Sequence, residues 1–210
     1  MTRTSDAFPT IRFATIVGFL LLCVAGTVAS RNPRASAQKE TSYLPLSVGN
    51  WWVYSLEGNS KRAGETSKWS VTQREIVHGA PVYHLWQTPA LDDEPLSLVE
   101  VPGGIAEADT DRFLLKIPLH AGDRWSSSSR SLRARGTMDA FQVISVGKPC
   151  LIREHSFDDC VVIREVDEAN NVASLTTYAR GVGPVKYVYF KGLHSEEVDT
   201  TLTIKSWEVH

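Results

Sequence analysis

The sequence predicts an all-β protein: a strongly curved antiparallel sheet or half-barrel of about eleven short strands, following an N-terminal signal helix. Three observations predict it. Runs rich in β-branched and aromatic residues recur at short intervals between Gly, Pro, Asn and Asp clusters. No segment beyond the N-terminal apolar run carries a long helical hydrophobic period. An aliphatic-Pro-Leu-x-small-Gly-Asn/Asp-x-Trp pattern occurs twice, each time at the start of such a run.

The chain has 210 residues, and the first 37 read as an export signal. Arg3 and Arg12 precede the uncharged run Phe13–Ala29, and Ala35-Ser36-Ala37 is a small-residue cleavage site with Gln38 next. The apolar run is also near the length of a membrane span, so an uncleaved anchor is the competing reading. In both cases the positive charges lie before the apolar run, and the rest of the chain faces outward. Membrane contact is then expected only through residues 13–29, and only without cleavage. Lipid processing at Cys23 is disfavoured, because Leu22 stands where a small residue belongs.

Residues 38–210 suit one all-β domain. The hydrophobic content of 42% and charged content of 22% are those of a soluble globular protein. Without the four arginines and one aspartate of the leader, 18 basic and 23 acidic residues remain, a net charge of −5. That balance argues against nucleic acid, which needs a basic face.

The strands follow in order. Leu44-Pro45-Leu46-Ser47-Val48-Gly49-Asn50-Trp51-Trp52 leads into Trp51–Glu57. Pro halts regular structure, Gly-Asn turns the chain, and Trp opens a strand with a large surface to bury. Ser67–Val77 alternates Trp69 and Val71 against Ser70, Thr72 and Arg74. His78-Gly79-Ala80 turns it into Val82–Gln87. Leu96–Val101 and Ile105–Ala108 flank the hairpin signal Pro102-Gly103-Gly104. Phe113–Ile117 is short. Ile117-Pro118-Leu119-His120-Ala121-Gly122-Asp123-Arg124-Trp125 then repeats the first pattern, a weak internal duplication. Ser126–Arg135 is polar and basic, the character of an edge. Met138–Val146, Cys160–Val166, Val172–Ala179, Val185–Phe190 and Val198–Trp207 complete the set. Between Ala179 and Val185, Gly181-Val182-Gly183-Pro184 is a specified break: a glycine there takes φ > 0, and Pro184 belongs at a strand start.

Three pieces together point to a known group: Tyr43-Leu-Pro-Leu-x-x-Gly-x-x-Trp-x-Tyr54, Ser156-Phe157-Asp158-Asp159-Cys160-Val161, and Tyr178-Ala-Arg-Gly-Val-Gly-Pro-Val185. The stretch from about residue 43 to 190 resembles exported bacterial β-sheet proteins of uncharacterised function, often described as lipoproteins. The resemblance implies a half-barrel sheet. The group has no agreed catalytic residues, so it implies none here. Two departures stand out: Arg180 replaces a residue that tends to be Pro, and Gly147–His155 differs from the usual Val-Pro-Ala-Gly approach.

Cys150 and Cys160 are the only cysteines after the leader. An exported address favours a disulfide between them; two separate thiols, with Cys160 as a small buried hydrophobe, is the alternative. The resembling group has Cys160 without a matching Cys150. Glu154, His155, Asp158 and Asp159 fit no metal-ligand spacing and read as a solvated loop, so no metal and no cofactor is expected. No G-x-S-x-G elbow or phosphate-binding glycine loop is present, and no catalytic residue is assigned. Aromatic residues are numerous for a small sheet; they fill a core, or some of them line a concave apolar pocket. Trp69 and Trp86 are the expected contacts in that second case. The sequence therefore favours an exported, non-catalytic binding or structural module of the cell envelope, in the periplasm or outside the cell, with an apolar small molecule or lipid as partner. The alternative is a hydrolase whose site is assembled from distant strands.

Overall fold

The computed structural model describes residues 42–59, 62–89, 95–108, 110–128, 138–168 and 170–210. The export signal and its cleavage site lie outside them. The described residues form twelve strands: β1 Trp51–Gly58, β2 Thr66–Val77, β3 Ala80–Thr88, β4 Leu96–Val101, β5 Gly104–Glu107, β6 Phe113–Lys116, β7 Arg124–Ser128, β8 Met138–Ile152, β9 His155–Asp167, β10 Val172–Ala179, β11 Gly183–Phe190 and β12 Val198–Glu208. They make one antiparallel sheet in the order β6-β5-β4-β3-β2-β1-β12-β11-β10-β9-β8-β7. Every neighbour in that order is also a neighbour in sequence except β1 and β12. The sheet is a meander curled so far that it nearly closes.

Cross-strand partners share a face, which fixes the inside of the curl. Trp52, Tyr54 and Leu56 alternate along β1 and are buried. Tyr54 stands opposite Ile204, and Leu56 opposite Leu202, Tyr187 and onward to Thr176 and Ile163. Val53 and Ser55, between them, face outward. Period-2 patterning thus places the apolar set on one side, as a half-buried antiparallel sheet requires.

The duplicated pattern is a duplicated structure. Gly49 and Gly122 have φ of 97° and 92°, a region that a Cβ disfavours. Asn50 N donates to Ser47 O, and Asp123 N to His120 O, both at 3.1 Å. Gly49 N donates to Val71 O at 2.9 Å, and Gly122 N to Val143 O at 2.8 Å. Val71 N returns a bond to Asn50 O and Val143 N to Asp123 O. The two copies open β1 and β7, so the sheet divides into two six-stranded halves, β1–β6 and β7–β12.

Two expectations change. Thirteen residues expected as loop, 147–159, instead extend β8 and β9 into one long hairpin, with Arg153 at its tip at φ 53°. Gly147 and Pro149 read as breakers in sequence, but the register shifts between Val143/Ser145, Val146/Lys148 and Lys148/Cys150 absorb them. Each such irregularity bends and twists the strand. The bent tip comes down on β1 and β12: Arg153 Nη2 donates to Ser55 Oγ at 2.5 Å and pairs with Glu57, and His155 and Phe157 pack on Trp207. Second, the strand expected from Ser126 begins earlier, at Arg124 in β7, and its expected continuation past Ser128 to Arg135 lies outside the described residues.

Candidate functional site

The three pieces that resemble exported β-sheet proteins meet in one knot. Tyr43 Oη donates to Asp159 Oδ1 at 2.5 Å, Arg180 Nε donates to Asp159 Oδ2 at 2.5 Å, and the Arg180 guanidinium lies 4.6 Å from the Tyr43 ring centre. Gly181 N donates to Ser42 O, Trp52 Nε1 to Val182 O at 2.6 Å, and Tyr54 Oη to Pro184 O at 2.7 Å. Gly181 and Gly183 both have positive φ, 72° and 110°, as expected. A Cβ on Gly183 would stand 3.0 Å from the Trp52 indole nitrogen, so the break is shaped to receive that ring. Burial and the bond to Asp159 push the Tyr43 hydroxyl up to about 12. Burial also works against the Asp159 charge, but the bonds from Tyr43 and Arg180 outweigh it and hold the carboxyl low. The knot is structural: it fastens the chain ahead of β1 to the β10–β11 turn.

The inner face carries the first candidate site. Trp69 stacks on Tyr187 with ring centres 6.0 Å apart, and Tyr187 meets Tyr54 edge-on at 5.7 Å. Tyr54 is fully buried, whereas Trp69, Tyr83, Tyr187 and Tyr189 are only half-buried. Trp69 Nε1 is itself buried and has no hydrogen-bond partner among the described residues. Leaving a buried donor unpaired costs about 1–3 kcal/mol, so this indole is set up to receive an acceptor. Trp86 is elsewhere. Trp69 is opposite Gln87 and Trp86 opposite Ser70, so the two tryptophans lie on opposite faces.

The second site lies at the seam where β6 meets β7. Arg112, 5% exposed, pairs with Asp139 of β8 and Glu165 of β9, approaches Glu107 of β5 at 3.8 Å, and donates to Ser128 O at 3.2 Å. Its guanidinium also covers the Phe141 ring at 5.2 Å. One cation thus serves three carboxylates, and Asp139 Oδ1 remains buried without a hydrogen-bond partner among the described residues. Burial raises Glu165 above the ordinary carboxylate range, against the pull of Arg112. For Arg112, burial works against the charge, but Glu165 and Asp139 outweigh it and raise it further. Tyr178, buried beside Glu165, is pushed up as well. The cluster clamps the two edges of the sheet together.

The outer face holds a hydroxyl–imidazole–carboxylate chain. His84 Nδ1 is 2.9 Å from Ser97 Oγ, and His84 Nε2 is 3.1 Å from Glu75 Oε1. These residues come from β4, β3 and β2, and their alignment follows from register: His84 stands opposite Ser97 and Gln73. Ser97 lies within a ladder, and its carbonyl accepts from Ala108 N.

Cys150 and Cys160 are joined, S–S 2.01 Å, on the bend of the β8–β9 hairpin. Glu154, His155, Asp158 and Asp159 do not converge: His155 Nε2 is 3.7 Å from Glu154, while Asp159 belongs to the knot. Among the described residues no group of three or more His, Cys, Asp or Glu side chains is placed to hold a metal.

The seam cluster escaped sequence reasoning, because its members are scattered from Glu107 to Glu165. One signal was present. Val161, Ile163 and Glu165 alternate on one face of a β-branched run, so Glu165 takes an inner position where an apolar residue is expected.

The fold and its two faces define an exceptionally curved, single-sheet β module. No family profile and no curated protein matches the sequence. Two crystal structures are similar. One, from Bacteroides fragilis, is described as a candidate exported protein with a YmcC-like fold, and matches with TM-score 0.47 and 8% identity over 80% of this chain and 99% of that one. The other, from Parabacteroides distasonis, is described as a candidate lipoprotein, with TM-score 0.39 and 10% identity over 80% of this chain and 99% of that one. Neither description names an activity.

Proposed function

We propose that this chain is an exported, non-catalytic binding module of the cell envelope that takes an apolar small molecule or lipid against its inner face. The leader sequence supports the address. The observation that carries the binding reading is Trp69: a half-buried ring, stacked on Tyr187, whose buried Nε1 lacks a partner among the described residues. An elongated apolar ligand with a polar acceptor at one end satisfies both halves of that residue. Titration with a long-chain fatty acid, followed by tryptophan fluorescence, is expected to saturate in the wild type. The shift is expected to disappear in Trp69→Phe and to persist in Trp86→Phe. Absence of any saturable change would leave a structural role in the envelope.

A second reading, a hydrolase, rests on the Glu75–His84–Ser97 chain. It is the weaker one. A serine inside a ladder sits among N–H groups committed to neighbouring strands, and acyl transfer needs free donors for the developing oxyanion. Ester hydrolysis abolished by Ser97→Ala would establish it; rates equal in wild type and variant would dismiss it.

A further inference from the structure

We propose that the groove beneath the tip of the β8–β9 hairpin binds a small oxyanion of the phosphate class. The groove has a volume of about 530 Å³, lies on the outer face, and is lined by Glu57, Leu151, Ile152, Arg153, Lys186 and Thr203. It is separate from the Trp69 site, because Ser55, Thr203 and Lys186 form one cross-strand row on the side away from Tyr54 and Leu56.

Three features point to an anion. Lys186 stands between two threonines, Thr177 on β10 and Thr203 on β12, and no described carboxylate pairs with it. Lys186 is half-buried and lies beside two threonines, and burial of an ammonium favours a nearby counter-charge. Arg153 arrives from the other side. Among the described residues only its Nη2 is used, on Ser55 and Glu57, and the remaining donors of a planar guanidinium suit a tetrahedral or planar oxyanion. The backbone supports the same assignment. Arg153 is a non-glycine residue at φ 53°, a conformation uncommon for such a side chain and concentrated at functional positions. Glycine or asparagine would suit the hairpin tip better; arginine there adds a second cation to the groove that Lys186 lines. Thr203, buried under the tip, adds a hydroxyl donor. Against the two cations the groove sets one carboxylate, Glu57, and a singly charged oxyanion completes the balance.

Calorimetric titration of the full chain with inorganic phosphate, at ionic strength held constant with chloride, tests this. The wild type is expected to bind saturably. Lys186→Met keeps the aliphatic stem and removes the charge, and is expected to weaken binding about tenfold or more. Glu57→Gln frees Arg153 and removes the competing charge, and is expected to tighten it, an outcome a merely structural role for Glu57 does not produce. Glycerol 3-phosphate, a lipid headgroup cut free of its chains, distinguishes the source: tighter binding than phosphate points to a headgroup, equal binding to free phosphate. No saturable binding of either compound, or equal affinity in wild type and Lys186→Met, overturns the proposal.

Discussion

The two places where the halves of the sheet meet are built from the same sequence pattern and finished differently. At the β12–β1 junction, Trp51 through Gly58 pair with Glu208 back to Thr200 in a ladder interrupted only between Val53 and Tyr54. At the β6–β7 junction no ladder forms. Trp125 Nε1 donates to Phe113 O at 3.0 Å, Phe113 N donates to Ser127 Oγ at 3.1 Å, and Arg112 spans the gap to Asp139 and Glu165. Backbone pairing is local, regular and indifferent to side-chain identity. Side-chain closure depends on particular residues, and it concentrates buried charge where the ladder is missing. The turn ahead of a strand, nearly identical in both copies, therefore does not decide whether that strand finds a partner. The partners differ in length, 11 residues in β12 and 4 in β6.

The sharpest way to break this contrast is Arg112→Leu. It leaves Asp139 buried without its cation, and removing one partner of a buried ion pair is worth about 3–5 kcal/mol. Chemical denaturation should show that loss. A loss below about 1 kcal/mol, the range of exposed pairs, would mean that the seam contributes no more than surface contacts do. The duplication itself is tested more gently. Gly49→Ala and Gly122→Ala place a Cβ at the same positive φ, with no contact closer than 3.8 Å at the first and none within 4 Å at the second. Each is expected to destabilise by about 1 kcal/mol through backbone strain alone. Clearly unequal losses would show that the two turns only look alike.

The smallest effect is in pH. Glu165 has its protonation constant raised by burial, so the folded state holds this proton more tightly than the unfolded state does. Its contribution is therefore present in acid and is lost as pH rises from the ordinary glutamate range through the raised folded value. Glu165→Gln is expected to flatten stability across that window. Asp159, held low, works with the opposite sign, its contribution fading as pH falls through its depressed folded value. An unchanged pH profile in Glu165→Gln would show that burial of this carboxyl is not coupled to stability.

Much of the sheet was legible because strands announce themselves locally. β1, β3, β4, β10 and β11 begin and end within a residue or two of their β-rich runs, and Gly181 and Gly183 adopt the backbone their Gly-Val-Gly-Pro context requires. The long β8–β9 hairpin was not legible. Gly147 and Pro149 stop a regular strand, and only the partner strand shows that irregular register carries them. The sites were less legible still. Trp69 and Trp86 look equivalent in sequence, and one residue of parity sends them to opposite faces. Arg112, Asp139 and Glu165 become neighbours only through curvature, a property of the whole sheet. Lys186 and Arg153 line one groove only because the hairpin bends.

The ladder order has a topological consequence. Its hydrogen-bonded strands form a linear path whose two ends, β6 and β7, are consecutive in sequence, joined by residues 117–123. That segment closes the path into a ring without belonging to any strand pair. At the far side of the ring, His210 N donates to Asn50 Oδ1 at 3.0 Å, so the last residue lies beside the start of β1. A circular permutant that links His210 by a flexible linker to the chain ahead of Ser42, and opens it within 117–123, keeps all eleven strand pairings of the sheet. It converts the seam from a covalently bridged gap into the chain's own two ends.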